Sequence, residues 1–439
     1  MSNKNINTMH EENKKKSALL PRLRFPEFKR SEEWKLEPLG KLAKRRTAKN
    51  TKGDHTRVLT NSAEFGVIDQ RDYFEKDIAT QGNLEGYYIV EKGDYVYNPR
   101  VSTSAPVGPI SKNNVGTGVM SPLYTVFRFD NSSNDFYAHY LKSTHWHQYM
   151  RQASSTGARH DRMSITNDDF MGLPLPVSKP EEQQKIADCL SSLDELIAAE
   201  TQKLEVIKTH KKGLMQQLFP REGETVPRLR FPEFLEVGEW EEKVIEDFFD
   251  VGSSKRVLQD DWTTQGVPFY RTRELVSLSK NESFGSEIFI SEELFREISV
   301  KYGLPAEGDF LVSGVGTLGV SYQVKAQDRF YFKDGNVLWF KMKGGIISTF
   351  FKYCFEADEI QNQISTQASI STVGTYTIQN AKVTKFSCPT NIEEQQKIAD
   401  FLSSLDGLIT AQSQKIDALK THKKGLMQQL FPVLDEVLP

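Results

Sequence analysis

EEQQKIADCLSSLDELIAAETQKLEVIKTHKKGLMQQLFP, residues 181–220, returns as EEQQKIADFLSSLDGLITAQSQKIDALKTHKKGLMQQLFP at 393–432, identical at 31 of 40 positions. A second motif, PRLRFPEF, stands at 21–28 and again at 227–234, each followed six residues on by a tryptophan, Trp34 and Trp240. The chain is therefore two half-molecules in tandem. The segments between the repeats, roughly 35–179 and 241–390, are unlike each other, and a constant frame around variable inserts locates function in the inserts.

Each long repeat carries helix start and stop signals. Ser178-Lys179-Pro180-Glu181 and Thr390-Asn391-Ile392-Glu393 predict capping boxes, and Pro180 suits a first turn. Acidic residues open each copy, Lys211, Lys212, Lys423 and Lys424 crowd its end, and Pro220 and Pro432 close it. Positions alternating four and three apart read Ile186, Leu190, Leu193, Ile197, Glu200, Leu204, Ile207, Lys211, Leu214, Leu218. The second copy reads Ile398, Leu402, Leu405, Ile409, Gln412, Ile416, Leu419, Lys423, Leu426, Leu430. Ten positions with two polar breaks make a heptad seam, the pattern of a coiled coil. A helix of this length spans about 57 Å, too long for one small domain to cover. Antiparallel closure of the two helices predicts a rod with one insert at each end, related by a pseudo-twofold axis. Leu196 and Leu408, beyond the seam, leave apolar surface for further helices. The alternative is two unrelated structural helices.

At 439 residues the chain has room for two to four domains, and no run approaches the roughly 18 apolar residues of a membrane span. The N-terminus, MSNKNINTMHEENKKKS, lacks an apolar stretch and reads as a disordered tail rather than a signal peptide. Cys189, Cys354 and Cys388 show no metal-binding spacing, and Phe401 replaces Cys189 in the second repeat, the behaviour of an apolar filler in a reduced cytoplasm. His145 and His147, two apart, point in different directions on a helix and predict no metal site. Net charge is −3, divided as +7 over 1–179 and −6 over 221–392. Overall charge does not mark a nucleic-acid binder, so any such surface is local or completed by a partner.

Both inserts read as α+β. GDYVYN at 93–98 and GDFLVS at 308–313 each predict a turn feeding a strand, with further strands at 124–129 and 337–340. Amphipathic helical stretches at 135–151 and 347–366 then lead to polar loops. Candidate DNA contacts in the first insert are Lys44, Arg45, Arg46, Lys49, Arg100, Ser102, Thr103, Arg159, His160 and Arg162. In the second they are Lys255, Arg256, Arg271, Arg273, Thr317, Ser369, Ser371 and Thr375. Arginine pairs bidentately with guanine, while lysine and hydroxyl side chains position phosphates. For any one of them a solvated loop is the plain alternative.

Two motif matches have blander explanations. Gly314-Val315-Gly316-Thr317-Leu318-Gly319 fits GxGxxG, but no βαβ unit follows, and a hairpin turn is expected. Glu233, Glu241 and Lys243 mimic a nuclease carboxylate–lysine pattern, but Lys35 and Glu37 stand at the equivalent places of the first half. No phosphate loop, amino-methyltransferase motif or nucleophile elbow occurs in the sequence. The chain reads as a binder.

PRLRFPEF, a GD-strand insert, and EEQQKIADxLSSLD…KTHKKGLMQQLFP, all repeated once, resemble the specificity subunit of type I restriction–modification systems over essentially the whole chain after residue 20. The resemblance implies two globular target recognition domains, 21–179 and 221–391. Conserved helices at 180–220 and 392–432 would follow them and pair as an antiparallel coiled coil, with tails at 1–20 and 433–439. It implies a non-catalytic subunit reading an asymmetric bipartite target in double-stranded DNA. Its partners would be two methyltransferase subunits and, through them, two restriction/translocase subunits. No cofactor is expected on this chain; S-adenosylmethionine, ATP and magnesium would sit on the partners, in the cytoplasm and away from membranes. Two other readings are a coiled-coil adaptor with protein-binding heads, and an independent nuclease using Glu233, Glu241 and Lys243.

Overall fold

Glycine and aspartate at the GD turns fix the centre of each insert. Gly93 and Gly308 adopt φ of 92° and 90°, a left-handed conformation that favours glycine. The next residue closes the turn: Asp94 Oδ2 accepts the Glu91 N–H at 2.7 Å, and Asp309 Oδ2 accepts the Ala306 N–H at 3.0 Å. The chain then enters the strands Tyr95–Tyr97 and Phe310–Ser313, buried along their whole length.

In this computed structural model, residues 19–73, 84–131, 135–156, 161–280, 282, 284–285, 287–370 and 374–433 are described. The chain divides into two units, Met1–Glu200 with Lys415–Pro439, and Thr201–Gln414. Each therefore contains one insert, the start of one long helix and the end of the other.

The first unit centres on an antiparallel sheet in the order Ala43–Arg45, Thr125–Phe129, Tyr95–Tyr97, Ile110–Lys112. The second repeats that order with Phe249–Ser253, Val337–Met342, Phe310–Ser313 and Ser321–Gln323. A two-stranded ladder joins entry to exit in each, Lys35–Pro38 with Pro174–Val177 and Glu241–Val244 with Lys385–Cys388. The second unit adds a sheet ordered Trp262–Thr263, Phe289–Ile290, Val267–Tyr270, Tyr331–Phe332 over its own small core. Two inserts with little common sequence thus share one frame.

Aromatic side chains fill both main cores. In the first unit Tyr95, Tyr97, Phe127, Phe136 and Phe170 pack with Ile186 and Leu190 of one long helix and Leu430 and Phe431 at the end of the other. In the second, Phe249, Phe310, Phe340 and Phe351 pack with Ile398 and Leu402 and with Leu218 and Phe219. Each insert is sealed onto both helices by apolar burial, worth about 1.5–3 kcal/mol per large side chain.

The helices run over Pro180–Leu218 and Ile392–Leu430, 39 residues each. None of the seam positions is exposed. The polar breaks find partners across the pair: in the first unit Lys423 reaches Asp194 and Lys415 reaches Glu200, both at 2.5 Å. In the second, Lys211 reaches Asp406 at 2.7 Å. Numbers rise along one helix as they fall along the other, so the packing is antiparallel.

Several local expectations change. Ser178 does not cap its helix; its Oγ is buried with no hydrogen-bond partner among the described residues, and the Lys179 carbonyl accepts the Glu182 and Gln183 N–H groups instead. On the second helix Asn391, one residue after Thr390, is the cap, its Oδ1 accepting from Glu393 N–H at 2.8 Å and Glu394 N–H at 3.4 Å. The stretch 135–151 forms two short helices, Phe136–Tyr140 and His147–Ala153. The stretch 347–366 breaks at Ala357, whose extended backbone separates Ser348–Glu356 from Asp358–Ile370. The second of these helices runs on through residues 367–370, expected in the polar loop. Leu19, placed in the tail, is buried, with its carbonyl accepting the Trp34 N–H at 3.0 Å. Residues 1–18 and 434–439 of the expected tails lie outside the described residues.

Candidate nucleic-acid interface

Two loops of the first insert meet beyond the Tyr95–Tyr97 strand. Arg100 and Arg162 form an isolated antiparallel bridge, backed by Val101 N–H to the Asp161 carbonyl at 3.0 Å and Met163 N–H to the Pro99 carbonyl at 2.9 Å. Asn98 holds the turn between them and the sheet, donating to the Asn61 carbonyl at 2.9 Å and accepting from Arg100 N–H at 3.0 Å. Beside the junction lies a cleft of about 430 Å3 whose lining includes Gln70, Arg100, Ser102, Tyr124 and Arg162. Asp161 sits 3.7 Å from Arg100 and 3.9 Å from Arg162, and the Arg100 side chain remains 66% exposed. One carboxylate shared loosely by two guanidinium groups leaves donors directed at solvent, as contact with phosphate or a base edge requires. Ser102 is exposed, its Oγ accepting from Ala105 N–H at 3.1 Å, and Thr103 is exposed on the same loop.

The basic run at the first strand of that sheet divides. Lys44 and Lys49 are exposed, Lys44 lying 3.7 Å from Asp130. Arg45 is half-buried, its Nε with no hydrogen-bond partner among the described residues. Arg46 keeps 39% of its side chain exposed but is paired: it reaches Glu91 at 2.9 Å, and Arg128 reaches Glu91 at 3.1 Å and Asp94 at 2.7 Å. Its charge is paired at the GD turn, where Asp94 also lies 3.9 Å away.

In the second insert Val315 and Thr375 form the bridge corresponding to Arg100 and Arg162. Thr317 is exposed in the connection between Phe310–Ser313 and Ser321–Gln323, where its carbonyl accepts from Ser313 Oγ at 2.5 Å. The GxGxxG match is this hairpin connection, with Gly316 and Gly319 at positive φ. Lys255 lies 5.3 Å from the Tyr302 ring, and Arg256 is 4.0 Å from Asp334. Arg271 and Arg273 are committed to carboxylates, reaching Glu274 at 2.7 and 3.0 Å, with Arg273 also 2.6 Å from Glu287. Burial pushes the Glu274 carboxyl up, but hydrogen bonds from Arg271 outweigh it and hold it at about 2. Both arginines thus stand paired, Arg273 with 63% of its side chain exposed. Ser369 lies in the Asp358–Ile370 helix; Arg159, His160 and Ser371 fall outside the described residues.

The nuclease pattern does not assemble. Glu233 pairs with Lys397 at 3.2 Å and Glu241 with Lys243 at 2.6 Å, two separate surface ion pairs. Among the described residues no group of three or more His, Cys, Asp or Glu side chains could hold a metal ion, and no helix is long and apolar enough to cross a membrane.

PRLRFPEF is a staple between the insert and both long helices. Arg24 donates to both Glu182 oxygens at 2.6 and 2.8 Å, and Trp34 Nε1 adds a bond at 3.2 Å. Arg230, Glu394 and Trp240 repeat this at 2.7, 2.8 and 3.2 Å. The same motif grips the far end of the other helix, through Leu23 N–H to the Gln429 carbonyl and Leu229 N–H to the Gln217 carbonyl, both at 2.9 Å. The available signal was joint recurrence: an arginine, a tryptophan and a second-position glutamate repeat together.

The sequence matches the type I restriction modification DNA specificity domain twice, over residues 32–209 and 238–421. A putative type I restriction enzyme specificity subunit of Haemophilus influenzae is 26% identical over 382 residues, 86% of this chain and 88% of that protein. The MjaVIII specificity subunit of Methanocaldococcus jannaschii is 24% identical over 288 residues, 64% of this chain and 65% of that one. Among solved structures, the S subunit of a type I restriction-modification system from M. genitalium aligns with a TM-score of 0.53 at 13% identity, covering 94% of this chain and 99% of that one. A chain from a structural study of assembly and conformational transition in the type I R-M system aligns at 0.55 with 15% identity, covering 91% and 97%. With most of its length accounted for by two copies of that domain, the chain belongs to the type I restriction–modification DNA specificity family, as a specificity subunit.

Proposed function

We propose that the chain reads an asymmetric, bipartite target in double-stranded DNA, each insert contacting one half-site, and that it does no chemistry itself. The observation that carries this reading is the equivalent loop junction in the two inserts: one frame presents Arg100 and Arg162 in one and Val315 and Thr375 in the other. A shared frame with different side chains at the same place suits two readers of different sequences. Arg100 and Arg162, with Gln70 in the same cleft, are the proposed contacts of the first insert; Lys44, Lys49, Ser102 and Thr103 would hold phosphates. Thr317, Thr375, Lys255 and Arg256 are the proposed contacts of the second.

The long helices would dock two methyltransferase subunits and, through them, two restriction/translocase subunits. S-adenosylmethionine, ATP and magnesium would be bound by those partners in the cytoplasm. Each helix is 39 residues, about 58 Å, and its length would set the spacer between half-sites. The adaptor reading, in which the inserts bind proteins, predicts no sequence-dependent DNA methylation by the reconstituted complex. Methylation mapping of that complex decides: a two-part asymmetric motif supports the proposal, and modification without sequence preference refutes it.

A further inference from the structure

The end of the second long helix carries Lys420, Lys423 and Lys424. In the first unit they meet Lys142 around a concavity of about 380 Å3, floored by Ile197 and Met427 and edged by Ser143 and Thr144. One carboxylate in its lining answers four ammonium groups: Asp194, which Lys423 reaches at 2.5 Å. Lys142, Lys420 and Lys424 are exposed, and no carboxylate among the described residues lies within ion-pairing distance of them. The interior registers the excess, for burial first, then Lys423 and Lys142, push the adjacent His139 down to about 4.

The second unit repeats the lysines but not the field. Lys211 pairs with Asp406 at 2.7 Å and lies 3.6 Å from Glu356, Lys208 pairs with Glu205 at 2.9 Å, and Lys352 shares Asp406 at 2.8 Å. Identical KTHKK segments at 208–212 and 420–424 therefore sit in different electrostatic settings, the second-unit copy with more carboxylates in reach.

We infer that the Lys142–Lys420–Lys424 concavity binds backbone phosphates of the DNA engaged by the first insert, gripping the duplex without reading its bases. Ammonium groups serve as point-charge ligands for phosphate, and hydroxyls such as those of Ser143 and Thr144 help to position it. An acidic protein docked alike on both units would need the same field at both helix ends. The field exists in one, which points to a ligand handled by one insert. The inference rests on the reading of this chain as a DNA reader.

The test uses the complete complex with its methyltransferase subunits on duplex containing its target. Each phosphate contact contributes about 0.9 to the slope of log K against log salt. The Lys420→Ala/Lys424→Ala variant is expected to lower the slope by about 2 and leave the methylated sequence unchanged. Lys142→Glu, an independent variant on the insert, is expected to weaken binding at low salt and converge on wild type at high salt. An unchanged slope overturns the inference, as does a changed methylation motif, which would indicate base contact. Loss of subunit assembly with a wild-type slope in the remaining complex would assign the lysines to a protein partner and also overturn it. Failure of DNA reading itself shows separately, as a wild-type complex without sequence-dependent binding.

Discussion

Removing one carboxylate should release one unit of the chain and spare the other. Glu394 is 1% exposed, accepts from Arg230 at 2.7 and 2.8 Å and from Trp240 at 3.2 Å, and the Arg230 side chain is itself 5% exposed. Glu394→Ala therefore strands a buried guanidinium and an indole N–H. Breaking a buried pair from one side costs about 3–5 kcal/mol. For a unit the size of Thr201–Gln414, about 2–4 °C per kcal/mol converts that to a loss of roughly 6–20 °C in the transition that unit controls. Glu394→Gln retains an acceptor and should fall between. Arg230→Met/Glu394→Leu removes both charges and should recover most of the loss, less about 1–3 kcal/mol for the unpaired Trp240 N–H. Calorimetry gives the size, and hydrogen exchange gives the place: faster exchange around 229–240 and 392–402, with 21–34 unchanged. A loss under about 1 kcal/mol, or equal loosening around Arg24 and Glu182, would refute the staple.

Further outcomes follow from the same contacts. Hydrogen bonds from Lys211 and Lys352 overcome the upward push of burial and hold the Asp406 carboxyl below its ordinary value. Its contribution is present above the unfolded carboxylate range near 4 and disappears as pH falls through the lower folded value. Asp406→Asn should therefore destabilise the second unit at pH 7 and flatten its acid limb below about pH 4, measured by thermal melts against pH. His139 and His147, both held at about 4 by burial, stay neutral in the folded state, so the first unit should lose stability as pH drops from about 6.5 to 4; His139→Gln should remove about half of that slope. Arg100→Ala should relax one base position by about 1–3 kcal/mol in competition binding. Arg46→Ala should instead lower thermal stability and leave the recognised sequence unchanged.

The helices were legible because their signals are local and repeated: heptad spacing and terminal prolines predicted both to within a residue or two. The GD turns were legible too, since glycine at positive φ and an aspartate closing the loop are short-range chemistry. The common sheet order was not, because it depends on which strands pair over distance, and Phe249–Ser253 shares almost nothing with Ala43–Arg45. Charge was the least legible. Arg46, Arg271 and Arg273 stand as bare cations in the string, yet Arg46 meets Glu91 and Arg273 meets Glu287 across separations that only the fold closes, while Glu274 lies within three residues of both Arg271 and Arg273. Arg100 looked no better than Arg46 in sequence, and the bridge to Arg162 distinguishes it.

The most direct measurement is single-molecule mapping of adenine methylation by the reconstituted complex, with wild-type chain and with Arg100→Ala in parallel. The account predicts a two-part asymmetric motif for wild type, and for the variant a motif relaxed at one position in one half while the other half and the spacer stay fixed. Relaxation in both halves, or a motif that does not divide into two independent parts, would contradict it.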